Sequence, residues 1–146
     1  MIGKVYGKST ITKEPLKIEA ITNTVAKLIQ LANLDDNWDS YGAKKPDTVA
    51  LIAATDLAHE LFGGYTPIPD VFPVPNGNIQ LEWSIYNLEL EIEVKNGTSC
   101  SAYFHDLDTG VEWDRNFTYR LADLLEVIDI LTKRNETENR PKVANG

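Results

Sequence analysis

The sequence predicts an α+β fold: an antiparallel meander of four to five strands with helices packed on one face, in the order αα-ββββ(β)-α. Three observations predict it. Apolar residues recur at helical spacing before residue 63 and again after residue 118, whereas between residues 79 and 104 they alternate with period two. Turn residues interrupt the alternating stretch at spacings that suit hairpins, and hairpins give an antiparallel sheet. Prolines and glycines separate the helical part from the alternating part. The 146 residues suit one domain, expected over residues 19–134, after an extended arm at 1–18 and before a disordered polar tail at 135–146.

The first helix is expected over residues 19–33, where Ile21, Val25, Leu28, Ile29 and Ala32 share a face. A polar loop follows from Leu34 to Gly42, with Trp38 expected in the core and Asp39 holding nearby backbone N–H groups. Pro46 and an N-cap at Asp47 or Thr48 open a second helix, because a side-chain oxygen there can satisfy an unpaired N–H. Its apolar stripe is Val49, Ile52, Ala53, Leu57, Leu61 and Phe62, and Gly63-Gly64 end it. Tyr65 to Pro75 contains four prolines, so it is extended and can pair only at a sheet edge.

A two-residue turn at Tyr86-Asn87 pairs Ile85 with Leu88, Trp83 with Leu90, Leu81 with Ile92 and Ile79 with Val94, so that each apolar residue faces another. The next hairpin is expected to use a three-residue loop, Lys95-Asn96-Gly97, with Gly97 left-handed. That loop aligns Ile92 with Cys100, Leu90 with Ala102 and Leu88 with Phe104. Asp106 to Gly110 makes a turn, Val111-Glu112-Trp113 a short strand, and Tyr119 to Lys133 a third helix with Leu121, Leu124, Leu125, Ile128 and Leu131 on its buried face.

Charge narrows the function classes. The net charge is −8, and residues 70–114 account for all of it, with Lys95 alone against nine carboxylates. Such a field repels phosphate backbones and attracts cations, which argues against direct nucleic-acid binding and for a basic protein partner. No apolar run approaches the ~20 residues a spanning helix needs, and Met1–Lys8 lacks the apolar region of a signal peptide, so the expected setting is cytoplasmic with no membrane partner. A lone Cys100 makes neither an internal disulfide nor a cysteine-based zinc site.

The predicted register places Glu82 opposite Glu91, Gln80 opposite Glu93 and Ser84 opposite Glu89 on the uncovered sheet face, which Ser99, Ser101, Tyr103, Glu112 and Asp114 continue. A solvated acidic surface that discourages edge-to-edge association is the plain account. A docking surface is the functional one, built from Glu82, Glu89, Glu91, Glu93 and Glu112 with Tyr86 and Tyr103 as anchors. Catalysis by the Glu82–Glu91 pair would need a cleft, which a flat sheet lacks. Asp35-x-Asn37-x-Asp39 begins like a calcium loop, but Ser40 stands where glycine is required and Pro46 where the bidentate glutamate belongs. Asp108-Thr109-Gly110 is turn composition rather than a protease motif, because no apolar strand leads into it. His59 is expected on the polar side of the second helix and His105 at a strand end on the acidic face, with no nucleophile grouped with either. The sequons at Asn96, Asn116 and Asn135 carry no weight in a cytoplasmic chain. No P-loop, dinucleotide fingerprint or zinc spacing occurs, and neither cofactor nor metal is expected.

Trp38-Asp39-Ser40-Tyr41-Gly42-Ala43, the prolines 67, 69, 73 and 75, Gly77, and Ile79-Gln80-Leu81-Glu82-Trp83 followed by Leu90-Glu91-Ile92-Glu93 form a pattern. It resembles a family of short uncharacterised bacterial proteins with a W-D-x-Y-G-A loop and an I-Q-L-E-W / L-E-I-E-x hairpin, across about residues 34–95. Val74-Pro75-Asn76-Gly77 departs from the more usual Pro-Thr-x-x-Gly. The resemblance implies a shared fold and a bacterial or phage source, and no activity. The expected function is that of a non-enzymatic acidic interaction protein, like an inhibitor, antitoxin or phage anti-defence protein, compatible with homo-oligomerisation. The alternatives are a small carboxylate- and Mg²⁺-dependent hydrolase or nuclease, and a small-ligand binder between the Trp38/Tyr41 loop and the proline-rich segment.

Overall fold

The computed structural model describes residues 17–118 and 122–139. Helices α1 (Lys17–Ala32) and α2 (Thr48–Leu61) precede strands β1 (Asp70–Pro73), β2 (Ile79–Ile85), β3 (Leu88–Asn96), β4 (Ser99–Asp106) and β5 (Glu112–Thr118), and α3 (Ala122–Asn139) follows them. The strands form one antiparallel sheet in sequential order, so the expected α+β meander is the observed fold. Lys17 and Ile18, assigned to the arm, belong to α1; the rest of the arm and residues 140–146 lie outside the described residues. Among the described residues, no helix is long and apolar enough to cross a membrane.

The β2–β3 hairpin has the register its side chains dictate, from Ile79↔Val94 to Ile85↔Leu88. Tyr86 and Asn87 both have positive φ, 53° and 60°, the turn whose twist suits a two-residue hairpin. Left-handed backbone disfavours a tyrosine, and contacts to α3 hold it there: the Tyr86 hydroxyl meets Asn135 Oδ1 at 3.0 Å, and its carbonyl accepts from Arg134 at 3.1 Å. The proline-rich segment supplies β1, a four-residue edge strand, as its composition requires.

The β3–β4 hairpin departs from expectation by two residues. Val94 pairs with Cys100, Ile92 with Ala102 and Leu90 with Phe104, and Leu88 faces Asp106. Asn96 Oδ1 accepts from the Thr98 backbone N–H at 2.9 Å and from its hydroxyl at 3.0 Å. This local clasp tightens the turn to Gly97-Thr98 and moves the extra residue into the strand, as a bulge between Val94 and Asn96. Gly97 is therefore not left-handed. A two-residue slip conserves parity, so every side chain keeps its expected face.

The helices are also reapportioned. In α2 the buried residues are Ala50, Ala53, Ala54, Leu57, Ala58 and Leu61, while Val49 and Ile52 are exposed. Four of the six buried side chains are alanines, and the β-branched Val49 and Ile52 lie outside. Asp47 occupies the N-cap position but makes no side-chain capping bond, and the helix closes at Phe62 rather than on the glycines. In α1, Ala20, Ile21, Thr24 and Leu28 face inward and Ile29 and Ala32 do not. In α3, Val127 replaces Leu125 in the core, and the helix continues through 135–139, which had been assigned to the tail. Strand β5 starts at Glu112 and extends to Thr118, five residues past Trp113, with Phe117 buried.

Trp38 is half-buried rather than in the core; its Nε1 donates to the Lys44 carbonyl at 2.9 Å. Asp39 acts as expected, its Oδ1 accepting from the backbone N–H groups of Tyr41 and Ala43 at 2.8 and 3.0 Å. The far end of this loop is fastened to the β1–β2 turn: Lys44 N–H donates to the Pro75 carbonyl and Asp47 N–H to the Gly77 carbonyl. Gly77 has φ +97°, and a Cβ there would stand 2.9 Å from the Asp47 carboxylate, so only glycine fits.

Candidate functional site

With α1, α2 and α3 packed on the other side, one face of the sheet is uncovered among the described residues, and antiparallel pairing arranges it in rows. The central row runs Asp70, Glu82, Glu91, Tyr103, Asp114 across all five strands. Beside it lie Ser84, Glu89, His105 and Glu112 on one side, and Phe72, Gln80, Glu93, Ser101 and Asn116 on the other. These rows hold seven carboxylates and no lysine or arginine. Among the described residues none of the seven is in an ion pair; the pairs found are Lys44–Asp47, Arg134–Asp106 and Arg134–Asp108.

Several of these carboxylates are held by neutral donors. Asn78 Nδ2 donates to Glu93 Oε2 at 2.7 Å, Gln80 Nε2 donates to Glu82 Oε2, and the Tyr103 hydroxyl donates to Glu112 Oε2 at 2.7 Å. Donating that proton to a carboxylate favours the neutral phenol, and the Tyr103 pKa is pushed up to about 12. Among the described residues Glu91 has no such donor. Partial desolvation first, and then the charges of Glu82 and Glu89, raise its pKa above the ordinary carboxylate value.

The face is not flat. Gln80, Glu91, Glu93, Tyr103, Asp114 and Arg115 are among the residues that border a hollow of about 310 Å³. Glu82 does not line the hollow and so is not brought into it with Glu91. Among the described residues, no group of three or more His, Cys, Asp or Glu side chains is arranged to hold a metal ion.

Of the expected site residues, Glu82, Glu89, Glu91, Glu93, Tyr103 and Glu112 share this face, and Tyr86 does not. Its ring leaves the turn toward α3, where its hydroxyl donates to Asn135 Oδ1 at 3.0 Å. Asp70 and Phe72 lie on this face through an edge strand whose prolines leave its register open in the sequence, and Asn116 through the part of β5 beyond Trp113. The alternation of Asp114, Asn116 and Thr118 with Trp113, Arg115 and Phe117 is the signal that identifies the longer strand. His105 sits between Glu89 and Glu112, on the acidic face as expected. His59 is exposed on α2, and Asp108-Thr109-Gly110 lies in the β4–β5 turn with Gly110 at φ +78°.

Compared with protein families, curated proteins and solved structures, the chain matches none.

Proposed function

We propose that the chain is a non-enzymatic interaction protein whose acidic sheet face docks a basic protein segment. The observation that carries the reading is that seven carboxylates stand together on one face and none of them is in an ion pair among the described residues, although Arg115 lies at the hollow they border. Packing like charges in register costs stability, and a cationic partner would return that cost as affinity. The concavity beside Glu91 and Asp114 gives a lysine or arginine side chain a place to sit, with Tyr103 at its wall for stacking contact.

A lysine- and arginine-rich peptide titrated into the ¹⁵N-labelled chain tests this. Shifts should concentrate on Gln80, Glu91, Ser101, Tyr103 and Asn116. Shifts spread evenly over every exposed carboxylate, including Asp56 and Glu60 of α2, would reduce the effect to net charge and remove the site.

A further inference from the structure

Two Asn-Gly pairs fall at hairpin turns among the described residues, and the structure holds them in opposite ways. An asparagine followed by glycine can react with its own chain, because glycine lets its backbone nitrogen approach the side-chain amide with no Cβ in the way. Asn76-Gly77, in the β1–β2 turn, is locked. Gly77 is buried, its N–H donates to the Val74 carbonyl at 2.8 Å, and its carbonyl accepts from the Asp47 N–H at 2.9 Å. Asn96-Gly97, in the β3–β4 turn, is open. Gly97 is exposed, no atom beyond its chain neighbours lies within 4 Å of where a Cβ would stand, and among the described residues its N–H has no acceptor.

We propose that Asn96 is a site of self-modification, converting to aspartate and isoaspartate through a cyclic imide, and that it reacts ahead of Asn76. The Gly97 nitrogen gives its proton to solvent base and bonds to Asn96 Cγ. The Cγ–Nδ2 bond then breaks, and the side-chain nitrogen leaves as ammonia. Water opens the five-membered ring at either carbonyl, giving aspartate or isoaspartate with no change of oxidation state. Negative charge builds on Oδ1 as the ring closes. Two donors already meet that oxygen, the Thr98 N–H at 2.9 Å and the Thr98 hydroxyl at 3.0 Å, so the clasp that tightens the turn also steadies the oxyanion. Asn76 Oδ1 accepts only from the Asn78 N–H, at 2.9 Å, among the described residues, and the Gly77 nitrogen that would attack it is committed to Val74. Asn96 also borders a hollow of about 120 Å³ with Asp56 and Glu60 of α2, so a carboxylate at 96 joins two others there. Isoaspartate further adds a methylene to the main chain beside the bulge in β3.

Peptide mapping by mass spectrometry tests this on the full chain held at mildly alkaline pH. It follows each Asn-Gly pair separately, including Asn145-Gly146, which lies outside the described residues. The peptide containing Asn96 should turn into its aspartate and isoaspartate forms severalfold faster than the peptide containing Asn76. In denaturing urea the two should react at similar rates, because neither turn is then held. Thr98→Val removes the hydroxyl donor and keeps the backbone one, so it should slow Asn96 severalfold while circular dichroism stays unchanged. Equal rates in the folded chain, or an Asn96 that outlasts Asn76, overturn the proposal. A rate difference that persists undiminished in urea also overturns it, as does a folded Thr98→Val chain that reacts at the wild-type rate.

Discussion

Glu91 is the residue where the cost of the acidic face is concentrated. It sits between Glu82 on β2 and Tyr103 on β4, and among the described residues it lacks a neutral donor of the kind that steadies Glu82, Glu93 and Glu112. Because its folded-state pKa is raised, the charged form is penalised at neutral pH. That penalty fades as pH falls through the raised value, and it is gone below the unfolded value of ~4.3. Glu91→Gln should therefore stabilise the fold at pH 7 by about 0.2–1 kcal/mol at low salt, and less at high salt. The gain should vanish near pH 4 in urea melts; a gain independent of pH would mean that charge is not its source. Tyr103 offers a spectroscopic check on the same row. Its phenol should ionise near 12, after ordinary tyrosines, and Glu112→Gln should bring the ultraviolet titration back toward ~10.

At the scale of elements, the account turns on what fastens α3 to the sheet. Arg134 reaches Asp106 at 3.1 Å, Asp108 at 3.2 Å and the Tyr86 carbonyl at 3.1 Å, joining the β2–β3 and β4–β5 turns to one helix. The Arg134 guanidinium bound to Asp106 holds that buried carboxyl below the usual range, against the opposing effect of burial. The pair's stabilisation is thus complete above the unfolded Asp value of ~3.9 and is lost as pH falls through the lowered folded value. Arg134→Met should cost about 1.5–3 kcal/mol at neutral pH and flatten the acid limb of the stability curve. An unchanged acid limb would show that the pair does not couple α3 to the turns. This clasp was illegible in the sequence, because Arg134 lies at the end of a helical stripe that had been closed at Lys133. The β2–β3 hairpin was legible to the residue, since shifting it by one would put every apolar side chain in water. The β3–β4 register was not: parity is preserved by a two-residue slip, and the choice rested on the Asn96 side chain clasping Thr98. The buried stripe of α2 is not legible from residue size, which favours Val49 and Ile52, because Ala50, Ala54 and Ala58 take the fully buried positions.

The whole molecule separates two surfaces by the thickness of the sheet and its helices. One is acidic and curved, with Glu91, Glu93, Tyr103 and Asp114 around a hollow; the other is apolar and grooved, with Ile29 and Ile52 at its edges. The acidic surface was legible because period-two alternation names both faces of a strand at once, whereas no residue pattern spells out the hollow beside Glu91. The claim that this surface is a site, beyond being a source of net charge, is tested most directly by comparing two isosteric changes that each remove one charge. Affinity for a lysine- and arginine-rich peptide is measured for Glu91→Gln and for Glu60→Gln, an exposed residue of α2, across a range of salt concentrations. The account predicts that Glu91→Gln weakens binding severalfold, mainly by slowing association at low salt, while Glu60→Gln stays close to wild type. Equal losses from the two substitutions would contradict it.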